Sequence, residues 1–260
     1  MPAHVFSLSE KTLMEVHQSH GPTLFSHNRN YLMRAYPSAL RVSSSNLDPS
    51  VFWRKGVQMV ALNWQKWDAG MMLNEGMFAG EGGWVLKPKG YRSINQQRGN
   101  AAISHESQAH AIAHKTLDLV IEVYAGQAIP LPIGDESVKG FHPYVKCELH
   151  VEKPEERTGA PIEKRGKSKD GEHKRRTKKK QGIEPDFGGE WLEWVGIPYV
   201  VEQLSFLRFE TPINFFQMPS FMQRTVMIHH RHQPGSCFLR KLRPGVASGS
   251  ATNMSGPLHC

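Results

Sequence analysis

"YLMRAYPSALRVSSSNLDPSVFWRKGVQMVALNWQ", residues 31–65, decides how the first third of the chain is read. Residues 32–36 form an extended run that Pro37 ends, and a polar Ser/Asn/Asp/Pro turn soon follows. Residues 57–64 are a mostly apolar run of strand length without alternation, which predicts a strand covered on both faces. Upstream, Val5 and Phe6 begin a strand, and residues 9–20 fit a helix with Leu13, Val16 and His17 on one side. Downstream, Asp68 can cap a short helix through Asn74, and residues 83–87 predict a strand closed by Pro88. Four strands with helical connections predict parallel pairing and an α/β layer over residues 1–95.

Residues 96–115 are polar and read as a linker. The pattern then changes to strict alternation. Leu117, Leu119, Ile121 and Val123 share one side, with Asp118 and Glu122 opposite. Val145, Cys147, Leu149 and Val151 repeat this, with Lys146, Glu148 and His150 opposite. Such strands bury one face and predict an antiparallel sandwich over residues 116–210. Residues 190–194 and 204–209 are further strand candidates. A charged insertion, residues 152–181, is expected to be a mobile loop because its composition forbids a core.

The net charge of +8 is unevenly placed. Between Lys164 and Lys180 stand ten basic residues and two acids, so this segment alone carries +8. From Thr211 to Cys260 there is no Asp or Glu, which predicts an irregular basic tail. The three cysteines (Cys147, Cys237, Cys260) share no metal or disulfide spacing and read as free thiols of a reducing compartment. No secretory signal and no membrane span are visible, so a soluble intracellular protein is expected.

Arg34 and Tyr36 stand two apart in an extended run and therefore face the same way. At the C-terminal mouth of a parallel strand they would sit where α/β folds bind ligands. A guanidinium fork grips phosphate through paired hydrogen bonds, and a tyrosine ring offers a flat face to a cyclic polyol. A surface arginine beside a core tyrosine is the plainer reading of the same two residues.

The run at 31–65, followed by LNEGMF and GGWVLKP, resembles the Y half of the catalytic barrel of eukaryotic phosphoinositide-specific phospholipase C. LDLVIEVYAGQAIPLP and FHPYVKCELHVE resemble the C2 domain that follows it in that family, and GIEPDFGGEWLEW and LSFLRF extend the match to about residue 209. The resemblance implies half of a TIM-like barrel followed by a C2-type sandwich. It implies cleavage of phosphatidylinositol 4,5-bisphosphate to diacylglycerol and inositol trisphosphate at a membrane surface, from the cytoplasm. It places Arg34 on a ring phosphate, Tyr36 against the inositol ring and Ser7 on a ring phosphate, with Met14 and Leu40 at the membrane-dipping rim. Ser7-Leu-Ser-Glu10 also reads as a capping box.

The same resemblance assigns acid–base histidines and the calcium ligands to an X half that is not among these residues, so no catalytic residue is assigned here. The isolated chain is expected to be inactive unless an X half is supplied. His142 stands where the C2 pattern has a calcium-binding aspartate, with Asp135 as a possible substitute, so calcium binding there is in doubt. Glu106, His110 and His114, and likewise His229, His230 and His232, read as incidental, since HAIAH lacks the glutamate of HExxH. The segment from Lys164 to Lys180 reads either as a solvated loop or as a contact to an anionic membrane. Nucleic acid is not expected, because no aromatic residue lies between Glu152 and Asp186. The alternative to an enzyme is a non-catalytic module that binds anionic lipid.

Overall fold

The computed structural model describes residues 4–93, 114–132, 137–153, 156, 173–210, 224–230 and 237–239. It begins with β1 (Val5–Ser9), α1 (Glu10–Asn30), β2 (Leu32–Tyr36), α2 (Pro49–Trp53), β3 (Met59–Val60) and α3 (Ala69–Phe78). The strands form a parallel sheet in the order β1-β2-β3. One face of it is packed: Met33 and Ala35 of β2 join Leu13 and Leu24 of α1 in a buried cluster. The other face, carrying Val5, Leu32 and Met59, stays open. This is the layer expected of half a barrel, with the would-be interior uncovered.

Local signals explain most of these elements. Ser9 caps α1, its hydroxyl accepting from the Thr12 amide at 3.1 Å. Asp68 caps α3 through the amides of Gly70 and Met71. The helix predicted over 9–20 runs on to Asn30, across a kink at His20. Pro22, two residues further, lacks the N–H that a straight helix would use there.

Two predicted strands are corrected. Residues 57–64 were expected to be one strand covered on both faces, but only Met59 and Val60 pair, and Met59 lies on the open face. Ala61 still donates to Ala35 O at 2.8 Å; then Asn63 N turns to the side-chain oxygen of Asn46, which replaces the ladder. Residues 83–87 form no strand. Gly82 and Gly83 adopt φ of +61° and +86°, and Trp84 and Leu86 are exposed. The sheet therefore has three strands.

The second part is a two-layer β structure. β4 (Lys115–Ala125) pairs antiparallel with β7 (Asp186–Val200). Facing them is a sheet of β5 (Lys146–His150), β6 (Lys174–Arg176), β8 (Phe206–Glu210), β9 (Arg224–His230) and β10 (Cys237–Leu239), in the order β10-β9-β8-β5-β6. Leu117, Leu119, Cys147, Leu149, Leu192, Trp194 and Leu207 fill the space between the layers. Burial pushes the Cys147 thiol up to about 12, which makes it an inert core residue.

Three expectations change here. The tail was expected to be irregular, yet β9 and β10 fall within it and extend the sheet beyond β8. The mobile loop was expected to run to residue 181, yet β6 lies inside it and pairs with β5. Lys146, Glu148 and His150 were read as the outer face of β5, but Glu148 is buried and His150 is nearly so. The reason is that this face packs on the first domain. His150 lies between Asp48 and Glu148, 3.6 Å from each carboxylate, and Arg208 bonds to Glu148 beside Met72.

The contact between the two parts is extensive. Phe25, Trp53, Leu73, Met77 and Tyr91 of the first share one buried cluster with Val201, Leu204 and Phe206 of the second. Arg54, at the end of α2, donates to both carboxylate oxygens of Glu156 at 2.8 and 2.9 Å and to Leu204 O at 3.1 Å. Among the described residues, no helix is long and apolar enough to cross a membrane.

Candidate functional site

β1 and β2 run parallel with Ser7 opposite Arg34 and Ser9 opposite Tyr36. Residues paired in this way share a face, so Ser7, Arg34 and Tyr36 all stand on the open side of the sheet near its C-terminal edge. Arg34 Nη1 donates to Ser7 Oγ at 3.0 Å, and the Arg34 guanidinium carbon lies 5.4 Å from the centre of the Tyr36 ring. The three residues singled out from sequence are thus brought together. Ser7 is a strand residue, and the capping role read for it belongs to Ser9.

The electrostatics of this group favour an anion. A guanidinium carries five N–H donors and no acceptor. Among the described residues, no carboxylate lies within ion-pair distance of Arg34. Its ring contact with Tyr36 and its bond to Ser7 fix the fork without neutralising it. Arg34 also borders a cavity of about 450 Å³, lined by Met59, Ala61, Trp84 and Tyr91 among others.

The loop after β2 builds the neighbouring rim. Arg41 is clamped to Glu10 at the start of α1, with Nε and Nη2 donating to the two carboxylate oxygens at 2.5 and 2.6 Å. Its Nη1 donates to Ser45 Oγ and Asn46 O, while Glu10 also accepts from the Ser38 amide. This clamp holds Leu40 and Val42 out into solvent, 81% and 95% exposed. Met14 and Leu40 line one groove of about 750 Å³ between α1 and this loop. Sequence reasoning found Leu40 but missed Val42 and the Glu10–Arg41 clamp. Two apolar residues around an arginine in an otherwise polar turn were the available signal.

The remaining candidates divide. His114, read as part of a solvated segment, instead lies 2.8 Å from the buried Glu152 carboxylate, because it abuts the start of β4. Glu106, His110, Asp135 and His232 lie outside the described residues, as does the span from Lys164 to Glu172. His229 and His230 are β9 positions. His142 bonds within its own turn, to Gly140 O at 2.8 Å. Gly80 and Gly83 sit in a tight turn after α3. Among the described residues, no group of three or more His, Cys, Asp or Glu could hold a metal ion.

A hydroxyl, a guanidinium and a phenol share the open face of the parallel sheet, and groups of this chemistry can bind a phosphate and pack on a ring. Residues 1–90 match the family model "Phosphatidylinositol-specific phospholipase C, Y domain". The chain is 36% identical over 151 residues to the 1-phosphatidylinositol 4,5-bisphosphate phosphodiesterase 1 of Candida albicans, covering 56% of this chain and 14% of that protein. It is 34% identical over 152 residues to the human eta-1 phosphodiesterase of the same name, covering 56% of this chain and 8% of that protein. It is also 34% identical over 148 residues to mouse "Inactive phospholipase C-like protein 1", covering 55% and 13%. The crystal structure of S. officinalis PLC21 shares the fold with a TM-score of 0.59 at 20% identity, over 86% of this chain and 25% of that one. The match to that family model is thus confined to the first ninety residues, and the chain spans less than a fifth of the length of these relatives.

Proposed function

We propose that this chain supplies the head-group-binding side of a phosphoinositide phospholipase C. The observation that carries this reading is the convergence of Ser7, Arg34 and Tyr36 on one open sheet face. In that role Arg34 grips a ring phosphate with its free N–H groups, Ser7 orients the fork and adds a hydroxyl, and Tyr36 packs on the ring. The substrate class is a phosphatidylinositol bisphosphate, the lipid in the names of the relatives. Leu40 and Val42, held out by the Arg41 clamp, would enter the bilayer beside the head group and keep the site at the lipid surface. Calcium and the acid–base groups would come from a complementary half barrel, to which the open face and the free edge of β1 are suited. The second part of the chain is read as a C2-type domain, packed against the first.

Arg34→Ala is expected to weaken binding of inositol 1,4,5-trisphosphate by about tenfold or more, since a hydrogen-bonded charge is lost. Calorimetric titration of the two chains reads this, and equal affinities would sink the assignment. A second expectation concerns turnover: the 260-residue chain alone releases no inositol trisphosphate from vesicles containing the bisphosphate lipid and calcium. Release at a measurable rate would show that the chemistry does not need another half.

A non-catalytic reading is favoured by one finding, the similarity to a relative named inactive. The two readings part on one measurement. A relative's X half added to the chain restores hydrolysis if the enzyme reading holds, and leaves only binding if it does not.

A further inference from the structure

Six of the seven residues from 174 to 180 are lysine or arginine. The structure fixes them on a sheet edge. β6 pairs with β5, and the pairing continues beyond it: Thr177 N donates to Val145 O at 2.9 Å, Lys180 N to Pro143 O and Gly182 N to Phe141 O, each at 3.0 Å. Among the described residues β6 is the last strand of the larger sheet, with no further strand paired to its outer side.

The cations are not equivalent. Lys174 is engaged with Glu148 at 3.4 Å, and Arg175 donates to Glu193 O and lies over the Trp194 ring. These two are structural. Arg176, Lys178 and Lys179 are exposed; Glu190 accepts from the Lys178 amide at 3.0 and 3.1 Å, but among the described residues no carboxylate lies within ion-pair distance of the three side-chain charges. Arg176 and Lys179 flank one ring, Tyr144, at 5.9 and 6.0 Å. The aromatic residue missing from the charged segment itself is thus supplied by the segment just before β5.

A charged edge protects a sheet from pairing with other edges, and one or two lysines do this. Several unpaired like charges in one short stretch repel one another and favour an anionic partner. We propose that this edge, through Arg176, Lys178 and Lys179, is a calcium-independent docking surface for an anionic lipid bilayer. A bilayer fits because it demands only a negative surface potential within a Debye length, which a short row of cations answers. Single-stranded nucleic acid would need successive stacking faces, and here one ring already lies under two cations. The inference stands apart from the head-group site, since it uses none of Ser7, Arg34 or Tyr36.

The test sediments the full chain with phosphatidylcholine vesicles, with and without phosphatidylserine, in the presence of a calcium chelator. Binding is expected only with phosphatidylserine and should vanish at high salt. At roughly fivefold in partitioning per basic residue, the triple variant Arg176→Gln, Lys178→Gln, Lys179→Gln should bind about 100-fold more weakly. Lys89→Gln, which removes an exposed charge outside this edge, should bind these vesicles nearly like the unaltered chain, so that the loss is specific to the edge. If the triple variant fails to fold by circular dichroism, the pair Lys178→Gln, Lys179→Gln serves, with about a 25-fold loss expected. Unchanged binding by the folded variant, a calcium requirement, or binding only to phosphoinositide vesicles of matched charge would overturn the proposal. So would a variant that loses affinity for an RNA oligonucleotide while keeping its affinity for vesicles.

Discussion

Glu156→Gln is expected to destabilise the chain by about 3–5 kcal/mol, because it removes one partner of a buried ion pair. Glu156 accepts two hydrogen bonds from Arg54, and both side chains are almost fully buried. Burial opposes the Arg54 charge, but the charge and hydrogen bonds of Glu156 outweigh it and hold the guanidinium above its ordinary value. In the variant the amide oxygen can still accept from the guanidinium, as Leu204 O does, but the opposite charge is gone and the amide N–H₂ faces a donor. Lys55 makes the loss larger. Its ammonium is buried with no hydrogen-bond partner among the described residues, and burial lowers its pKa to about 8 even with Glu156 nearby. Removing the carboxylate leaves two cations together in a dry interface. Urea unfolding of Glu156→Gln, Arg54→Met and the double variant forms a cycle that isolates the pair. The double variant should recover part of the loss, since a buried pair replaced as a unit is often tolerated. A single-variant cost below about 1 kcal/mol would mean that this pair does not hold the two parts together.

The reach of sequence reasoning follows from the range of each interaction. Arg34 and Tyr36 were legible because a strand puts i and i+2 on one side, and Ser7 followed from the family motif. Asp68 was legible because a cap acts within its own helix start. Alternation correctly placed Leu117, Leu119, Cys147 and Leu149 in the sandwich core. It failed at Glu148 and His150, because alternation separates two faces without saying what covers the second. Asp48, a hundred residues upstream, covers it. β3 was overextended for a similar reason: the Asn46 side chain, remote in sequence, takes the Asn63 amide out of the ladder. β6 and β9 were masked by composition. A run of cations or an absence of acids says nothing about backbone pairing, which β5 and β8 supply.

Acidification from pH 6.5 to about 4.5 is expected to cost the chain stability chiefly through one residue, His17. Its ring is buried on α1 and bonds to Glu156 O at 3.0 Å, with Nε2 as the donor of a neutral imidazole. Burial first, and the Lys55 charge second, lower its pKa to about 4, against a partly compensating pull from Glu156. The unfolded chain therefore binds a proton near 6.5 that the folded chain refuses until about 4, so stability falls as pH falls through that window. The full difference corresponds to about 3 kcal/mol as an order of magnitude. The other titrating groups of this interface act elsewhere. His150 is opposed by burial but raised by Asp48 and Glu148, so its contribution is complete below 6.5 and is lost as pH rises through its folded value. Asp48 and Glu148, also opposed by burial, are held low chiefly by His150, with Arg54 and Arg208 adding to the pull. Their contribution stands above the ordinary carboxylate range and is lost only as pH falls below it. His17→Gln keeps a donor for Glu156 O and removes the titration, so its unfolding free energy should stay nearly flat from pH 6.5 to 4.5 while that of the unaltered chain declines. Parallel curves for the two proteins across that window would show that the helix histidine does not carry the acid sensitivity.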